Sequence, residues 1–415
     1  MHHVQIVSNA VIGSEDCLYL SIYTPRLNPR KPYPVLVYIH GGGFEFGMGE
    51  FTGRPGYFMD HNIVVVTLNY RLGLMGFLSM EDSVLSGNMG LKDQNMALKW
   101  IQRNIKNFGG DAKRVTIYGE SAGGASVYYH MISPWSKGLF HQGISQSGTA
   151  LTPWASSAPG VGRARAIKIA KMAGCPTKNT KSMLNCLQQL DGRDLMRLTK
   201  HFPMNQLEMR PTFTPIVDSA AKDPFLPEEP HKLKPLPVPW LTGCSNMEGI
   251  IKTAHFSKFP NHYNDMDSKF MDIFPTFLFN DNITVSKDVA LKIRKYYFGN
   301  ESITPAMTRN MTNASLSFLL LFYYFNYFLN ILNSLMPPPA PCRSTSGLSN
   351  LGSLHGESMR MENKSLHIVF TLEQKNSPPL FLNQILIPQT YHVRYFGLFL
   401  DKRLRLEPSY MPETN

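Results

Sequence analysis

The stretch Gly119-Glu120-Ser121-Ala122-Gly123 decides the fold of this chain. It follows the short apolar run Val115–Tyr118 and opens a segment of small residues, Gly124-Ala125-Ser126. This order predicts a strand, a sharp turn and a helix, with Ser121 at the apex of the turn. A turn of this kind exposes the serine hydroxyl above a sheet and leaves the next backbone N–H available to an oxyanion. So short a pattern also arises by chance, and its weight depends on the rest of the chain.

A glycine triplet upstream supplies that context. His40-Gly41-Gly42-Gly43-Phe44 directly follows the apolar run Val35–Ile39, which predicts a buried strand. Only glycine lets a backbone approach a tetrahedral intermediate this closely. The triplet therefore predicts the second half of an oxyanion-binding site, opposite the turn at Ser121.

The rest of the first half alternates between strands and helices, which predicts a mostly parallel central sheet with helices on both faces. A helix is predicted over Leu91–Ile105, with Leu91, Met96, Leu98, Ile101 and Ile105 on or near one face. Residues 160–235 have the pattern of helices and Pro-rich loops, which we interpret as a cap over the site. The predicted strands are Leu18–Tyr23, Val35–Ile39, Ile63–Leu68, Val115–Tyr118, Gly143–Gly148 and Trp240–Gly243.

Composition restricts the classes of partner. The formal net charge of the 415-residue chain is +11, but the basic residues are scattered, which favours a solvated surface over a nucleic-acid partner. The first twenty residues lack the pattern of a signal peptide. The uncharged stretch from Asn310 to Cys342 is long enough to span a bilayer, yet its asparagines favour a buried strand instead, so no membrane span is predicted.

Cysteines and glycosylation motifs point towards an extracellular protein. Cys175 and Cys186 flank a short helical pattern, at a spacing that a disulfide bridge can close. Acceptor motifs for N-linked glycosylation occur at Asn282, Asn300, Asn310, Asn313 and Asn363. Together they favour a secreted glycoprotein, against the missing signal peptide.

Residues 15–335 resemble the type B carboxylesterases, the cholinesterase-like branch of the α/β-hydrolases. The resemblance rests on the two glycine-containing stretches above and on three further blocks, Glu15-Asp16-Cys17-Leu18-Tyr19-Leu20, Asn69-Tyr70-Arg71-Leu72-Gly73 and Asn107-Phe108-Gly109-Gly110-Asp111. It implies an α/β-hydrolase fold that is incomplete at both ends, a small ester as substrate, a secreted protein, and no metal or other cofactor.

The resemblance also implies the roles of individual residues. It implies Ser121 as the nucleophile, with the N–H groups of Gly42, Gly43 and Ala122 forming the oxyanion hole. Glu248, in Gly243-Cys244-Ser245-Asn246-Met247-Glu248-Gly249, takes the place of the acid of a Ser–acid–His triad. A disulfide between Cys175 and Cys186 is implied as well.

Two departures from the family pattern change the expectations. Only fourteen residues precede Glu15, whereas the family extends further and holds there the cysteine that pairs with the counterpart of Cys17. Cys17 is therefore expected to be an unpaired thiol. The second departure follows Phe322-Tyr323-Tyr324-Phe325-Asn326, where the resemblance fades within a dozen residues.

The C-terminal part resembles a different protein. Lys364–Leu372 and Ile387–Leu404 resemble the terminal part of a reverse transcriptase from a jockey-type non-LTR retrotransposon. This predicts a chimera with an esterase-like domain at 1–335, a Pro/Ser/Gly-rich linker at 336–362 and a reverse-transcriptase-like tail at 363–415.

The general base is the least determined member of the triad. His355 resembles the family histidine because glycine and an acidic residue follow it, but it lies in the Ser/Gly-rich linker. His40 adjoins the oxyanion loop, and His130, His141 and His201 lie in the wrong part of the chain. Without a placed base, a serine triad loses most of its rate.

Three other residues near the motifs keep two interpretations each. Glu120 is a buried structural or substrate-facing carboxylate, or else a proton shuttle. Phe44 and Phe46 line an acyl or entrance wall, or else belong to the core.

The pattern as a whole predicts a serine carboxylesterase that acts through an acyl-enzyme, on xenobiotic, hormone-like or lipid esters. The alternatives are a catalytically inert fragment and a neuroligin-like adhesion or scaffold protein. The oligomeric state is not predicted.

Overall fold

The computed structural model describes residues 5–7, 10–52, 55–202, 211–245, 247–259, 261–271, 287–314, 365–367, 381–382 and 385–386. The predictions for the apolar stretch after residue 314, for the linker at 336–362 and for most of the tail lie outside these residues.

A seven-stranded, mostly parallel sheet forms the centre of the described structure, in the order β3-β5-β4-β6-β7-β8-β9. Only β3 is antiparallel to its neighbour, β5, and every other pair in this sheet is parallel. Two separate hairpins, β1-β2 and β10-β11, complete the described strands. The strands are Gln5–Val7 (β1), Ala10–Ile12 (β2), Leu20–Tyr23 (β3), Tyr33–Ile39 (β4), Val64–Leu68 (β5), Gly110–Glu120 (β6), Gln142–Gln146 (β7), Trp240–Gly243 (β8), Ser365–His367 (β9), Phe381–Leu382 (β10) and Ile385–Leu386 (β11).

Burial explains why these segments form strands. All five residues of β5 are buried, so both faces of the sheet are covered at this strand, next to the edge strand β3. The predicted mostly parallel sheet is therefore confirmed, and the strands lie where the apolar runs predicted them to within a few residues. Ser365–His367 lies within the predicted tail, and its backbone pairs in parallel with β8.

The helices lie mainly between successive strands, as a parallel sheet requires. The α-helices are Gly49–Thr52 (α1), Gly73–Phe77 (α2), Met89–Asn104 (α3), Ala122–Ile132 (α4), Val161–Met172 (α5), Thr180–Leu187 (α6), Gly192–Leu198 (α7), Ile250–Lys258 (α8), Asn261–Ser268 (α9) and Lys287–Phe298 (α10). Single 3₁₀ turns occupy Gly56–Asp60, Ile105–Phe108, Pro134–Ser136, Thr199–His201, Pro230–Lys232 and Pro305–Met307. Across the described ranges, each helix is too short or too polar to cross a lipid bilayer.

Helix α3 corrects one prediction about its core face. Met96 is 64% exposed, whereas Leu91, Leu98 and Ile101 are buried as predicted. Met96 follows Leu91 by five residues, so its side chain is rotated by about 140° around the helix axis from that of Leu91. This rotation directs Met96 away from the core. Polar side chains share the buried face instead, and Gln94 is completely buried.

The cysteines behave as expected where the structure describes them. Cys175 and Cys186 form a disulfide across α6, with 5.8 Å between their Cα atoms. Cys17 and Cys244 are free and buried. Burial is the main cause that raises the pKa of the Cys17 thiol to about 11, so the thiol stays protonated.

Candidate active site

Ser121 lies at the apex of a strained turn between β6 and α4. Its backbone has φ 57° and ψ −122°, a conformation that costs a non-glycine residue of the order of 1–3 kcal/mol. The Ser121 N–H donates to Gln146 O (2.8 Å), and Ser121 O accepts from Ala125 N (2.9 Å), so both sides of the turn are held. Ser121 itself is half-buried. Within the described residues, its hydroxyl makes no hydrogen bond.

Close backbone approach explains the glycines around Ser121. A Cβ placed on Gly123 would lie 2.0 Å from Ile39 O, and one on Gly148 would lie 2.0 Å from Ser121 O. One on Gly119 would lie 2.4 Å from the Gly123 carbonyl carbon. These distances are shorter than any real Cβ contact, so only glycine lets β4, β6 and α4 meet at the turn.

The glycine loop after β4 lies directly against this turn. A Cβ on Gly41 would lie 3.2 Å from Ser121 Cβ. Gly42 has φ 100°, and its carbonyl oxygen accepts from Glu45 N and Phe46 N in a tight turn. Gly43 follows with φ 62°. The structure therefore brings together the two segments that the sequence predicted to form an oxyanion hole.

His40 braces the glycine loop. Its ring stacks on Tyr70, with 4.3 Å between the ring centroids, and its Nδ1 lies 2.8 Å from Gly41 O. Tyr70 Oη donates to His40 O (2.8 Å). His40 is buried in this position.

Glu248 follows β8 at the same edge of the sheet. Its Oε1 accepts from Ser147 Oγ (2.5 Å) and from the backbone N–H of Ser245 (2.8 Å). Two donors on one oxygen fix the orientation of the carboxylate. Within the described part of the chain, the other oxygen, Oε2, has no hydrogen-bond donor, and an imidazole could donate to it.

Sequence reasoning missed Ser147. The residue was predicted only as part of a strand, whereas it follows β7 with φ 54° and its N–H donates to Gly243 O (2.8 Å). No local sequence signal marks the residue, because only the sheet order β6-β7-β8 places the end of β7 between the predicted nucleophile and the predicted acid.

Glu120 lies next to Ser121 and within the field of Glu248. Loss of solvation, and then the negative charge of Glu248, raises the pKa of Glu120 above its ordinary value, although part of the side chain is exposed. The exposure favours the substrate-facing interpretation over a fully buried structural carboxylate.

The two phenylalanines of the loop have different surroundings. Phe44 is 0% exposed and packs against Phe77 and Trp154 in the core. Phe46 is 53% exposed. Only Phe46 is thus placed to line an entrance wall.

The base remains a prediction. His355 lies outside the described residues. His130 is completely buried on α4, and burial lowers its pKa to about 3, which excludes it as an accessible base. His141 lies at the start of β7, where its Nδ1 accepts from Val115 N (3.3 Å), and His201 lies on an exposed 3₁₀ turn.

Comparison with known proteins identifies the family of this chain. Residues 1–327 match the family model described as the carboxylesterase family. The chain belongs to this family. The α/β-hydrolase fold implied by the sequence is therefore confirmed.

Insect carboxylesterases are among the similar proteins. A carboxylic ester hydrolase of Bombus ignitus is 41% identical over 311 residues, which cover 73% of this chain and 55% of that protein. Venom carboxylesterase-6 of Apis mellifera is 43% identical over 301 residues, 70% of this chain and 53% of that protein. Juvenile hormone esterase of Tribolium castaneum is 40% identical over 280 residues, 65% of this chain and 47% of that protein. The chain thus spans about half the length of the curated relatives it matches.

Proposed function

We propose that this chain hydrolyses carboxylic esters through an acyl-enzyme on Ser121. The observation that carries the proposal is the placement of Ser121 at a strained strand-to-helix turn, with the glycine loop packed against its Cβ. Ser121 Oγ attacks the ester carbonyl, the alcohol leaves, and water then releases the acid from the serine. Family membership supports this reaction.

The oxyanion of each tetrahedral intermediate is assigned to the N–H groups of Gly42, Gly43 and Ala122. The first two lie in the loop after β4 and the third at the first residue of α4, so donors reach the oxygen from two separate turns. Loss of one such donor raises the barrier by roughly 3 kcal/mol in known enzymes.

Glu248 is assigned as the acid that orients and stabilises the catalytic imidazole. Its support is the position after β8 and the two donors that fix Oε1. His355 is proposed as the imidazole, on its resemblance to the family histidine. His355→Ala then lowers kcat by about 10⁴-fold or more. A variant that retains kcat would remove His355 from the triad.

Turnover of p-nitrophenyl acetate tests the reaction. Ser121→Ala is expected to abolish the enzyme-dependent release of p-nitrophenol, whereas Ser182→Ala, at an exposed position on α6, keeps it. Equal rates for wild type and Ser121→Ala would overturn the proposal. An inactive wild type would favour the alternative of a catalytically inert fragment.

We assign small apolar esters as the substrate class, including hormone-like, xenobiotic and lipid esters. The names of the relatives support this, because they include a juvenile hormone esterase and a bile salt-activated lipase. A series of p-nitrophenyl esters from acetate to dodecanoate measures the acyl preference, and activity restricted to charged acyl groups would contradict the assignment.

We also propose that the chain is secreted and N-glycosylated at Asn300. The disulfide supports an oxidising compartment. Asn300 lies in an exposed turn after α10, whereas Asn310 Nδ2 donates to Tyr297 O (2.6 Å) and Asn313 is half-buried. In protein secreted from insect cells, glycosidase treatment should reduce the mass of wild type by more than that of Asn300→Gln, by the mass of one N-linked glycan. Equal mass losses in the two proteins would contradict the site.

We also propose the chimeric organisation that the sequence predicts. The family match ends at residue 327, close to the predicted boundary at 335. Ser365–His367, within the proposed tail, pairs in parallel with β8. A transcript read through the codons for residues 335–365 tests whether both parts are encoded together, and separate transcripts would contradict a fusion.

A further inference from the structure

A hydrogen-bonded series of buried polar side chains connects α3 to the start of α4. Gln94 on α3 and Ser126 and His130 on α4 are each 0% exposed, as is Ser136 beyond the end of α4. A polar group at such a depth is retained only if it is hydrogen-bonded. None of these residues has a role in the reaction proposed above.

The donors and acceptors of this hydrogen-bonded series allow only one direction for its bonds. Ala122 O accepts, so Ser126 Oγ donates to it (2.8 Å) and must itself accept from Gln94 Nε2 (3.1 Å). Gln94 Oε1 then accepts from His130 Nε2 (3.0 Å).

The polar atoms at the far end of the series, at His130 and Ser136, are also hydrogen-bonded. With its proton on Nε2, His130 accepts at Nδ1 from Ser136 Oγ (2.8 Å), and Ser136 Oγ accepts from Asn95 Nδ2 (3.0 Å). The low pKa of His130 keeps the ring neutral, as this pattern requires. Every bond points towards Ala122 O, and aligned bonds of this kind strengthen one another.

The series ends at Ala122 O, and this matters because Ala122 joins two peptide planes. The first plane contains Ser121 O and the Ala122 N–H, and its carbonyl is held by Ala125 N (2.9 Å). The second plane contains Ala122 O, which is held by Ser126 Oγ. Fixing both planes fixes φ and ψ of Ala122 and therefore the direction of its N–H. The strain at Ser121 makes such a restraint necessary, because strained backbone persists only where its surroundings hold it.

We propose that Gln94, Ser126 and His130 are positioning residues, which act through Ala122 to aim its N–H at the oxyanion. The inference rests on the proposed function for its catalytic consequence. It assigns to buried polar residues of α3 and α4 an effect on transition-state binding as well as on stability.

A matched pair of serines separates positioning from stability. Ser126→Ala removes a buried hydroxyl bonded to Ala122 O and leaves Gln94 Nε2 without its acceptor. Ser145→Ala removes a buried hydroxyl bonded to Gly124 O (2.9 Å) and leaves Trp240 Nε1 without its acceptor (3.0 Å). The two variants lose equivalent bonds to α4, but only the first bond ends on Ala122.

The kinetic prediction concerns kcat and a transition-state analogue. Ser126→Ala and Gln94→Leu should lower kcat about tenfold or more at nearly unchanged KM, and should weaken inhibition by a trifluoromethyl ketone, which forms an oxyanion on Ser121, by a similar factor. Ser145→Ala should lower Tm by a few degrees, about as much as Ser126→Ala does. It should leave kcat and inhibition by the ketone within about twofold of wild type. Equal kcat and inhibition in all three variants would overturn the proposal.

A second readout covers the case in which the wild type does not turn over esters. In protein labelled with ¹⁵N-alanine, the amide resonance of Ala122 should shift in Ser126→Ala and Gln94→Leu and stay in place in Ser145→Ala. A resonance that stays in place in Ser126→Ala overturns the positioning role, whatever the activity. A shift in an inactive wild-type background upholds it and rejects only the proposed function.

Discussion

At the scale of single residues, three of the five non-glycine residues with positive φ in the described ranges lie at the candidate site. Phe44, Ser121 and Ser147 have φ values of 61°, 57° and 54°, although none of them is glycine. They lie in the glycine loop, at the proposed nucleophile and beside the proposed acid, respectively. Strain of this kind collects where geometry serves function, because it is retained only against a cost in stability.

Ser147 offers a test of how the acid is held. Ser147→Gly removes the hydroxyl that donates to Glu248 Oε1 and suits the positive φ. A hydrogen bond to a charged group contributes about 1.5–3 kcal/mol, so kcat for p-nitrophenyl acetate should fall roughly 10- to 100-fold. A kcat equal to that of wild type would show that Ser245 N alone orients Glu248.

His130 gives the stability of the chain a pH dependence. Its pKa is about 3 in the folded chain, against about 6.5 when unfolded. Between these values only the unfolded chain takes up the proton. This contribution to stability is therefore complete above pH 6.5 and is lost as the pH falls towards 3.

Urea denaturation at pH 7.5 and pH 5 measures this dependence. Wild type should lose more unfolding free energy between the two pH values than His130→Gln, because glutamine does not titrate. Equal losses in the two proteins would contradict the buried, neutral histidine.

At the scale of elements, the site depends on the contact of β4, β6 and α4. Gly123 allows that contact, and a methyl group there would lie 2.0 Å from Ile39 O. We expect Gly123→Ala to destabilise the chain by several kcal/mol or to prevent folding, because backbone rather than a flexible side chain must move.

Gly56→Ala is the matched control for this substitution. Nothing lies within 4 Å of a Cβ at Gly56, so its stability should stay within about 1 kcal/mol of wild type. Thermal unfolding followed by circular dichroism compares the two variants. A wild-type Tm for Gly123→Ala would show that the elements do not meet as described.

Glu45 connects the glycine loop to the segment that follows residue 210. Its Oε1 accepts from Thr212 N (2.5 Å), and burial raises the pKa of its carboxyl above the ordinary value. The sign is opposite to that for His130, because the folded chain here binds the proton more tightly. As the pH rises above about 4.3, the pKa of a glutamate in the unfolded chain, ionisation of Glu45 therefore destabilises the folded chain increasingly.

Glu45→Gln keeps an acceptor for Thr212 N and removes the charge. The unfolding free energy of this variant, relative to wild type, should increase from pH 4 to pH 7. A difference that is constant over this range, or that decreases, would contradict the raised pKa.

At the scale of the whole molecule, strand order gathers the site. The sheet order β4-β6-β7-β8 places the glycine loop, Ser121, Ser147 and Glu248 in sequence along one edge, where the carboxyl ends of parallel strands meet. Residues more than 200 positions apart in the chain thus share one site without any local signal that relates them.

Local patterns were sufficient to predict the strands and the sharp turn. Apolar runs such as Val35–Ile39 determine a buried parallel strand, and glycines at fixed spacing determine a close approach. The sequence did not predict the role of Ser147 or the buried face of Gln94. Their hydrogen bonds are made to partners 101 and 32 residues away, and only the tertiary fold brings these partners close.

Peptide mapping after reaction of the full chain with a fluorophosphonate tests most directly whether Ser121 is the nucleophile. We predict a single phosphonyl adduct on Ser121, which is absent from Ser121→Ala. An adduct on another serine, or no adduct under conditions that label a reference esterase completely, would contradict Ser121 as the activated nucleophile.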